Sequence, residues 1–283
     1  MKTSWDNLEI KNTNLKNYKD TVYGNVKGWC ALESVFICDF LDSIEFNKEG
    51  GLCEIGVELG RSYILYNSII DEKYASYAVD LFYSASQDYN YSGYNLENKI
   101  DIFTENVKKY DVHRGKQTNI ILADSLEYEK YYREIKNIRI FHIDGGHEVS
   151  HILNDLEFAN KVINASGVII VDDYMNSDFP SVTQGIFLYL QKYPTVVPFL
   201  SAFNKLYLCR LPFYERYLEK TKSFLQYMSE TIKNPYLHPN DSYYTASINR
   251  YAMYSINEGR ILKDTDFYKR NNYVQSLPTN GPS

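Results

Sequence analysis

The sequence predicts an α/β fold in which a mostly parallel sheet lies between layers of helices. Apolar runs of strand length alternate along the chain with segments whose apolar residues recur every three or four positions. The strands predicted at 138–143 and 168–171 enclose one such helical segment, which is the pattern of a βαβ unit with parallel neighbours. Two further apolar runs, at 196–201 and 205–210, flank a short turn and predict an antiparallel hairpin.

The remaining elements follow from the same rules. Short apolar runs that end in turn or acidic residues predict strands at 52–55, 76–79 and 119–123. Apolar periodicity predicts helices at 29–44, 62–70, 96–110, 126–135, 149–163, 182–191 and 212–232. The segment 81–95 is rich in Tyr, Ser and Gly and is long for a connector, so we expect it to form part of an acceptor site or a lid.

This order of elements divides the chain into three parts. We expect an N-terminal arm over 1–27, whose first 22 residues are weakly anchored, and a domain over 28–211 that holds the sheet. A helical and irregular extension follows over 212–283, and it loses its apolar periodicity after about residue 232. We expect the extension to be dispensable for the sheet and to serve acceptor binding or dimerisation.

Composition narrows the function. A net charge of −6 over 283 residues argues against nucleic acid as the main partner, because phosphate binding needs a concentrated basic face. The N-terminus is polar and no apolar run reaches the length of a membrane span, so we expect a cytoplasmic protein with no membrane partner. The four cysteines lie in apolar surroundings without metal-ligand spacing, which favours buried free thiols.

A glycine-containing turn follows the first predicted strand. It reads GVELG at 56–60 and leads into a helix, so a ligand can approach its backbone. Asp80 ends the next strand, at the offset where an acid typically hydrogen-bonds ribose hydroxyls in nucleotide-binding folds. A dinucleotide dehydrogenase would need glycine at position 58, where Glu58 would instead face the pyrophosphate. The turn therefore predicts a nucleotide-type ligand other than a dinucleotide.

Acidic residues end two strands that we expect to be neighbours. Asp144 follows the first strand and Asp172 and Asp173 follow the second, so three carboxylates gather with His147 at one rim. Open α/β sheets bind their ligands along that rim. Three such acids repel one another unless a cation or a proton intervenes, and all-oxygen ligands favour Mg²⁺, Ca²⁺ or Mn²⁺. Simple turn formation by adjacent aspartates is the alternative.

Together these residues resemble the class I S-adenosylmethionine-dependent methyltransferases, and within them the macrocin-type sugar O-methyltransferases. The resemblance covers about residues 28–210 and is carried by EIGVELGRS at 54–62, Asp80, Asp124-Ser125, IDGGH at 143–147, Gly167 and VDDY at 171–174. It implies a Rossmann-like, seven-stranded, mostly parallel sheet with a C-terminal antiparallel hairpin, here followed by the helical and irregular extension.

The resemblance also implies a role for each matching residue. The cofactor set, which contacts the methionine part, the ribose and the adenine of S-adenosylmethionine, is Glu54, Gly56, Gly60, Ser62, Asp80, Asp124 and Ser125. The carboxylates that hold Mg²⁺ in metal-dependent members are Asp144, Asp172 and Asp173. The catalytic set is His147, as general base, together with Asp144.

We therefore expect methyl transfer to a hydroxyl oxygen of a small molecule. The sulfonium is already an activated methyl donor, so the protein must align the acceptor and assist its deprotonation. A 1,2-diol would suit a bound divalent cation, which makes a sugar the first expectation for the acceptor and a phenol the second. A metal-independent N- or C-methyltransferase and a non-catalytic cofactor-binding module remain the alternatives, and a homodimer is possible.

Overall fold

The computed structural model describes residues 7–82, 98–232, 245–248 and 251–256. Its strands are β1 Gly51–Ile55, β2 Ser76–Asp80, β3 Thr118–Leu122, β4 Ile138–Ile143, β5 Ile163–Val171, β6 Val196–Ala202, β7 Lys205–Arg210, β8 Thr245–Ile248 and β9 Tyr251–Ile256. Its α-helices are α1 Thr13–Asn17, α2 Ser34–Asp42, α3 Arg61–Asn67, α4 Lys99–Tyr110, α5 Val149–Val162, α6 Pro180–Lys192 and α7 Tyr214–Ile232. A π-helical turn, Tyr18–Val22, follows α1, and 3₁₀ turns span Ser125–Lys130, Tyr132–Glu134 and Leu211–Phe213.

The described strands form one sheet in the order β3-β2-β1-β4-β5-β7-β6-β9-β8. Strands β1 to β5 pair with one another in parallel, and β7 runs antiparallel to both β5 and β6. The predicted fold class is confirmed, including the hairpin. The sheet extends beyond the seven predicted strands, because β9 pairs in parallel with β6 and β8 pairs with β9. Both strands lie in the extension over 212–283 that was expected to be irregular after about residue 232.

Helices cover the two faces of the sheet, so that two clusters of buried apolar residues form. The first face packs against α2, α3 and α7, with Leu52, Ile140 and Val168 contributing from the sheet. The second face packs against α5 and α6, with Cys53 and Phe141 contributing from alternate positions of the same strands. This alternation is the period-2 pattern that lets one strand serve two cores, and it gives a three-layer architecture.

The N-terminal residues are part of the first cluster, which corrects the expectation of a weakly anchored arm. Leu15 is 0% and Tyr18 is 1% exposed, and Val22 is buried on the next turn. The Tyr18 hydroxyl donates a hydrogen bond of 3.1 Å to the Arg61 carbonyl oxygen. Their three- and four-residue spacing was the signal, and the many polar residues between them concealed it. The domain boundaries themselves stay a prediction.

Helix α7 also belongs to the first cluster rather than to a separate appendage. Tyr217 stacks on Phe199 of β6 with ring centroids 4.5 Å apart, and Phe224 stacks on Phe40 of α2 at 4.5 Å. Leu225 is fully buried between these contacts and the sheet. The expectation that everything beyond residue 211 is dispensable for the sheet is therefore wrong for α7.

Some predicted elements differ in detail. The helix expected at 126–135 forms two 3₁₀ turns, and β5 begins at Ile163, earlier than predicted. The predicted lid spans 81–95, and its residues from 83 onward lie outside the described residues. Among the helices of the described ranges, none combines the length and the apolar character needed to cross a membrane.

The packing of α7 leads to a stability prediction. Leu225→Ala should lower the free energy of unfolding by about 2–5 kcal/mol, because it removes a buried side chain and leaves a cavity. The matched control is Lys222→Ala on the exposed face of the same helix, which should change stability by less than about 0.5 kcal/mol. Urea unfolding followed by circular dichroism measures both. A urea midpoint of Leu225→Ala equal to that of Lys222→Ala would show that α7 is not part of the cooperatively folded unit.

Candidate active site

The carboxyl ends of β1, β4 and β5 lie side by side, and the backbone ladder continues past them. The Asp144 amide donates to the Ile55 carbonyl oxygen at 2.9 Å, and the Asp172 amide donates to the Ile143 carbonyl oxygen at 2.9 Å. These bonds fix the first residue after β4 and the first residue after β5 next to the end of β1. The predicted convergence of acids at one rim follows from this ladder.

Gly56 brings the turn after β1 against the chain that follows β4. Its φ is +81°, and a Cβ at this position would lie 1.8 Å from the Asp144 carbonyl oxygen. Only glycine can occupy this place without moving one of the two segments. Gly60 begins α3 with φ +95°, and a Cβ there would lie 3.1 Å from the Phe103 ring. Close contacts at Gly56 and at Gly60 therefore fix the position of the glycine-containing turn.

Asp80 holds this turn from the end of β2. Its Oδ2 accepts a hydrogen bond from the Glu58 amide at 2.9 Å, and its Oδ1 accepts one from the Phe82 amide at 2.6 Å. Glu58 has φ +47°, a conformation that is uncommon for residues other than glycine. Each carboxylate oxygen keeps a second lone pair, so Asp80 can still accept from ribose hydroxyls.

Glu54 lies in the middle of the sheet and is fully buried, not in the turn itself. The Ser62 hydroxyl donates to its Oε1 at 2.5 Å, and His142 Nδ1 lies 3.2 Å from the same oxygen. Burial alone would lower the pKa of His142, but the carboxylates of Glu54 and Asp172 outweigh it and raise that pKa above its ordinary value. His142 therefore lies between two acids that favour its protonation.

The predicted adenine-side pair begins the 3₁₀ turn after β3. Asp124 Oδ1 accepts a hydrogen bond from the Leu126 amide at 2.9 Å, which is an N-cap contact. Ser125 is buried, and its carbonyl oxygen accepts from the Asn154 side chain at 2.7 Å. Asp155 is also buried on α5, and burial raises its pKa to about 7. These contacts secure the turn against α5.

The three acids at the rim have different partners. Asp172 is nearly buried; its Oδ2 forms an ion pair with Lys205 Nζ, and its Oδ1 accepts from the Asp173 amide at 2.9 Å. Asp173 has φ +57°, and its Oδ1 accepts from the side chains of Asn176 and Asn204, each at 2.7 Å.

Among the described residues, two groups have ligand atoms within 4.8 Å of one another. One contains His142, Asp144 and Asp172, and the other contains Asp144, His147 and Asp173.

The charges at the rim separate the pKa values of these acids. Burial raises the pKa of Asp144 well above its ordinary value, and the neighbouring Asp172 carboxylate adds to this rise. Burial would also raise the pKa of Asp172, but the Lys205 ammonium and His142 hold it well below its ordinary range. Asp144 is consequently the acid that most requires a proton or an added cation.

His147 lies at the start of α5 and faces Asp173. Its Nε2 is 3.1 Å from Asp173 Oδ2, and its ring stacks on Phe179 with centroids 3.9 Å apart. The side chain keeps 35% of its exposure, so it is accessible from the rim. Contact with a carboxylate on one side and a ring on the other fixes the orientation of the imidazole.

Lys205 is a site residue that was not predicted from the sequence. This lysine opens β7, is 2% exposed, and supplies the ammonium that pairs with Asp172. A lysine between Asn204 and Leu206, in an otherwise apolar hairpin, was the available signal. Lysine is rarely buried without a partner, so its position implied an acid nearby.

Comparison with known proteins agrees with the geometry. Residues 53–174 match a family model described as a methyltransferase domain. The match covers less than half of the chain, and it includes the glycine-containing turn, Asp80 and the acids that end β4 and β5. The strand order and the antiparallel hairpin around it agree with the Rossmann-like fold that the sequence predicted.

Solved structures with similar folds share little sequence with the chain. A structure from Klebsiella pneumoniae described as an O-methyltransferase has a TM-score of 0.50 at 12% identity, over 72% of this chain and 92% of that one. The O-methyltransferase from Bacillus cereus, in complex with S-adenosylhomocysteine, has a TM-score of 0.49 at 15% identity, over 72% of this chain and 93% of that one. The comparison with curated proteins returned no match.

The close approach at Gly56 gives a prediction for the glycine-containing turn. Gly56→Ala should destabilise the protein by at least about 1 kcal/mol, because alanine disfavours a positive φ and its Cβ would meet the Asp144 carbonyl oxygen. S-adenosylhomocysteine binding should weaken with it. Gly24→Ala is the control, since a Cβ there has nothing within 4 Å. Thermal unfolding and calorimetric titration measure both variants, and wild-type behaviour of Gly56→Ala would contradict the role of the turn.

Proposed function

We propose that this methyltransferase transfers the methyl group of S-adenosylmethionine to a hydroxyl oxygen of a small molecule, assisted by a divalent cation. The observation that carries the proposal is the convergence of Asp144, Asp173 and His147 within 4.8 Å of one another, at the strand ends beside the glycine-containing turn. A methyl donor held by the turn and an acceptor held by this group would meet at the same rim.

The cofactor site is proposed at the turn between β1 and α3. Gly56 lets the turn lie directly against the chain that follows β4, and Asp80 can direct its remaining lone pairs to ribose hydroxyls. Asp124 and Ser125 lie at the end of β3, which β2 and β1 separate from the acid-bearing strands, and this position suits the adenine end of the same ligand. Glu54 is buried beneath the turn, so it would support the cofactor site through its contacts with Ser62 and His142 rather than by contacting the cofactor directly.

The donor atoms at the rim fit a hard divalent cation. Asp144 and Asp173 offer carboxylate oxygens within 4.8 Å of each other, and burial, together with the neighbouring Asp172 carboxylate, raises the pKa of Asp144. A bound cation would stabilise the ionised form of Asp144. Oxygen donors of this kind suit Mg²⁺ or Mn²⁺. When bound there, such an ion supplies stabilisation of the negative charge that develops on the acceptor oxygen.

His147 is proposed as the general base. An alcohol is a poor nucleophile while it is protonated, so a group at the rim must take its proton as the methyl group is transferred. The Asp173 carboxylate, 3.1 Å from His147 Nε2, would stabilise the imidazolium that forms. Stacking on Phe179 holds the ring in place during the transfer.

The acceptor class follows from the same arrangement. Two adjacent hydroxyls can both reach the rim, one near His147 and one near the Asp144 and Asp173 carboxylates. A sugar diol has this geometry, and a catechol-type phenol has it in planar form. A sugar hydroxyl is therefore our first proposal for the acceptor, with a phenol second.

Cofactor binding is tested by removing the acid at the end of β2. Asp80→Ala should weaken S-adenosylhomocysteine binding by about 1–3 kcal/mol, the usual effect of removing a charge-assisted acceptor. Isothermal titration measures the affinity, and thermal unfolding checks that the turn remains folded. Equal affinity in the variant and the parent would place the ribose elsewhere. NADH binding tighter than S-adenosylhomocysteine would contradict the assigned cofactor.

The base is tested by His147→Ala. Turnover should fall by roughly 10²–10⁴-fold, the range for loss of a general base, and should recover in part at high pH as the acceptor ionises. Formation of S-adenosylhomocysteine with a panel of sugars and catechols measures turnover. His151→Ala is the control, because this histidine lies about one turn further along and belongs to neither group of potential ligands. Unchanged turnover in His147→Ala would reduce that histidine to a structural role.

A further inference from the structure

Lys205 places a full positive charge beneath the acid rim. It opens β7, directly after the turn that joins β6 to β7, and its side chain is 2% exposed. The pairing of β5 with β7 sets Leu206 opposite Val171, so Lys205 and Asp172 lie next to each other where the two strands meet the rim. Their side chains form an ion pair that is almost completely removed from solvent.

Asp172 already has a positively charged partner. Its Oδ2 contacts the Lys205 ammonium, and His142 Nε2 lies 3.7 Å from the same oxygen. Its Oδ1 accepts from the Asp173 amide. A divalent ion on this carboxylate would bring two more positive charges against a buried ammonium, and repulsion between charges is strong where water is excluded.

Asp173 has a different environment, although it is the next residue. Its positive φ turns it away from Asp172, and its Oδ1 partners are two neutral amides. Its Oδ2 faces His147 and belongs with Asp144 to the second group of potential ligands. Neither group of potential ligands in the described part of the chain contains all three acids.

We propose that Lys205 is a built-in cation that removes Asp172 from the divalent-cation site, so that Asp144 and Asp173 are the only two of the three acids that bind the ion. This inference rests on the proposed function, and it narrows the ligand set that the sequence implied. Two carboxylates balance one divalent ion, and they leave more of its coordination positions to water and acceptor oxygens than three would. Lys205 is thus a positioning residue, because it acts through Asp172.

The test is Mn²⁺ titration of the full chain saturated with S-adenosylhomocysteine, with bound ion measured by electron paramagnetic resonance. The informative variant is Lys205→Met/Asp172→Asn, which removes both members of the pair and leaves no unpaired buried charge. Its Mn²⁺ affinity should stay within about threefold of the wild type. Asp144→Asn and Asp173→Asn should each weaken binding by at least about tenfold, because each removes a ligand charge.

The single variant Lys205→Met should change the Mn²⁺ affinity in the opposite direction from Asp144→Asn and Asp173→Asn. It frees the Asp172 carboxylate, so Mn²⁺ should bind at least about tenfold more tightly than in the wild type. A lysine with a purely structural role would leave the affinity unchanged or lower it. If circular dichroism shows that the methionine-containing variants are unfolded, Lys205→Gln/Asp172→Asn replaces them, because it keeps a hydrogen bond across the pair. The same threefold limit on the Mn²⁺ affinity of this variant then decides whether Asp172 is a ligand.

Two further results would overturn the inference. A double variant that loses Mn²⁺ as severely as Asp144→Asn would make Asp172 a ligand. A wild type that binds no Mn²⁺ would remove the cation site altogether. S-adenosylhomocysteine affinity, measured on the same samples, separates these results from failure of the proposed function: retained binding leaves the methyl-transfer assignment standing, and lost binding in the wild type contradicts it.

Discussion

The candidate site depends on the backbone ladder that joins the ends of β1, β4 and β5. Hydrogen bonds from the Asp144 and Asp172 amides continue this ladder beyond the strands, and the absence of a Cβ at Gly56 lets the first turn contact the chain after β4. The glycine-containing turn and the acid rim are therefore held against each other through backbone contacts. A slip of one residue in the pairing would turn the acids toward a helix-covered face, so the apolar alternation of the strands also fixes the chemistry.

Negative charge is the second constraint, because parallel strand ends that carry acids bring like charges together. The protein compensates each acid differently. Asp172 receives an ammonium, Asp173 receives amide donors and an imidazole, and Asp144 is left with a pKa well above its ordinary value as a result of burial and its charged neighbours. The rim is therefore asymmetric: Asp144 and Asp173 form a position suited to an added cation, whereas Lys205 already balances the charge of Asp172. The three carboxylates are not equivalent.

The sequence predicted what depends on local pattern. Apolar periodicity located the sheet, the hairpin and α7, and the sequence spacing of Gly56, Asp80 and Asp144 located the rim. It did not predict what depends on tertiary contacts. The burial of Leu15 and Tyr18, the pairing of β9 with β6, and the ion pair of Lys205 all require partners that are distant along the chain. The different environments of Asp172 and Asp173 follow from a positive φ at Asp173, which adjacent identical residues do not reveal.

The hairpin after α6 therefore contributes to the site as well as completing the sheet. Its turn places Asn204 on Asp173, and its second strand places Lys205 on Asp172, so each of the adjacent acids receives one contact from it. A buried ion pair adds little net stability compared with an apolar pair of similar volume, because removing both charges from water offsets their attraction. Stability alone does not account for a lysine at this position. Its physical effect is to set how many of the acids at the rim remain available to a ligand.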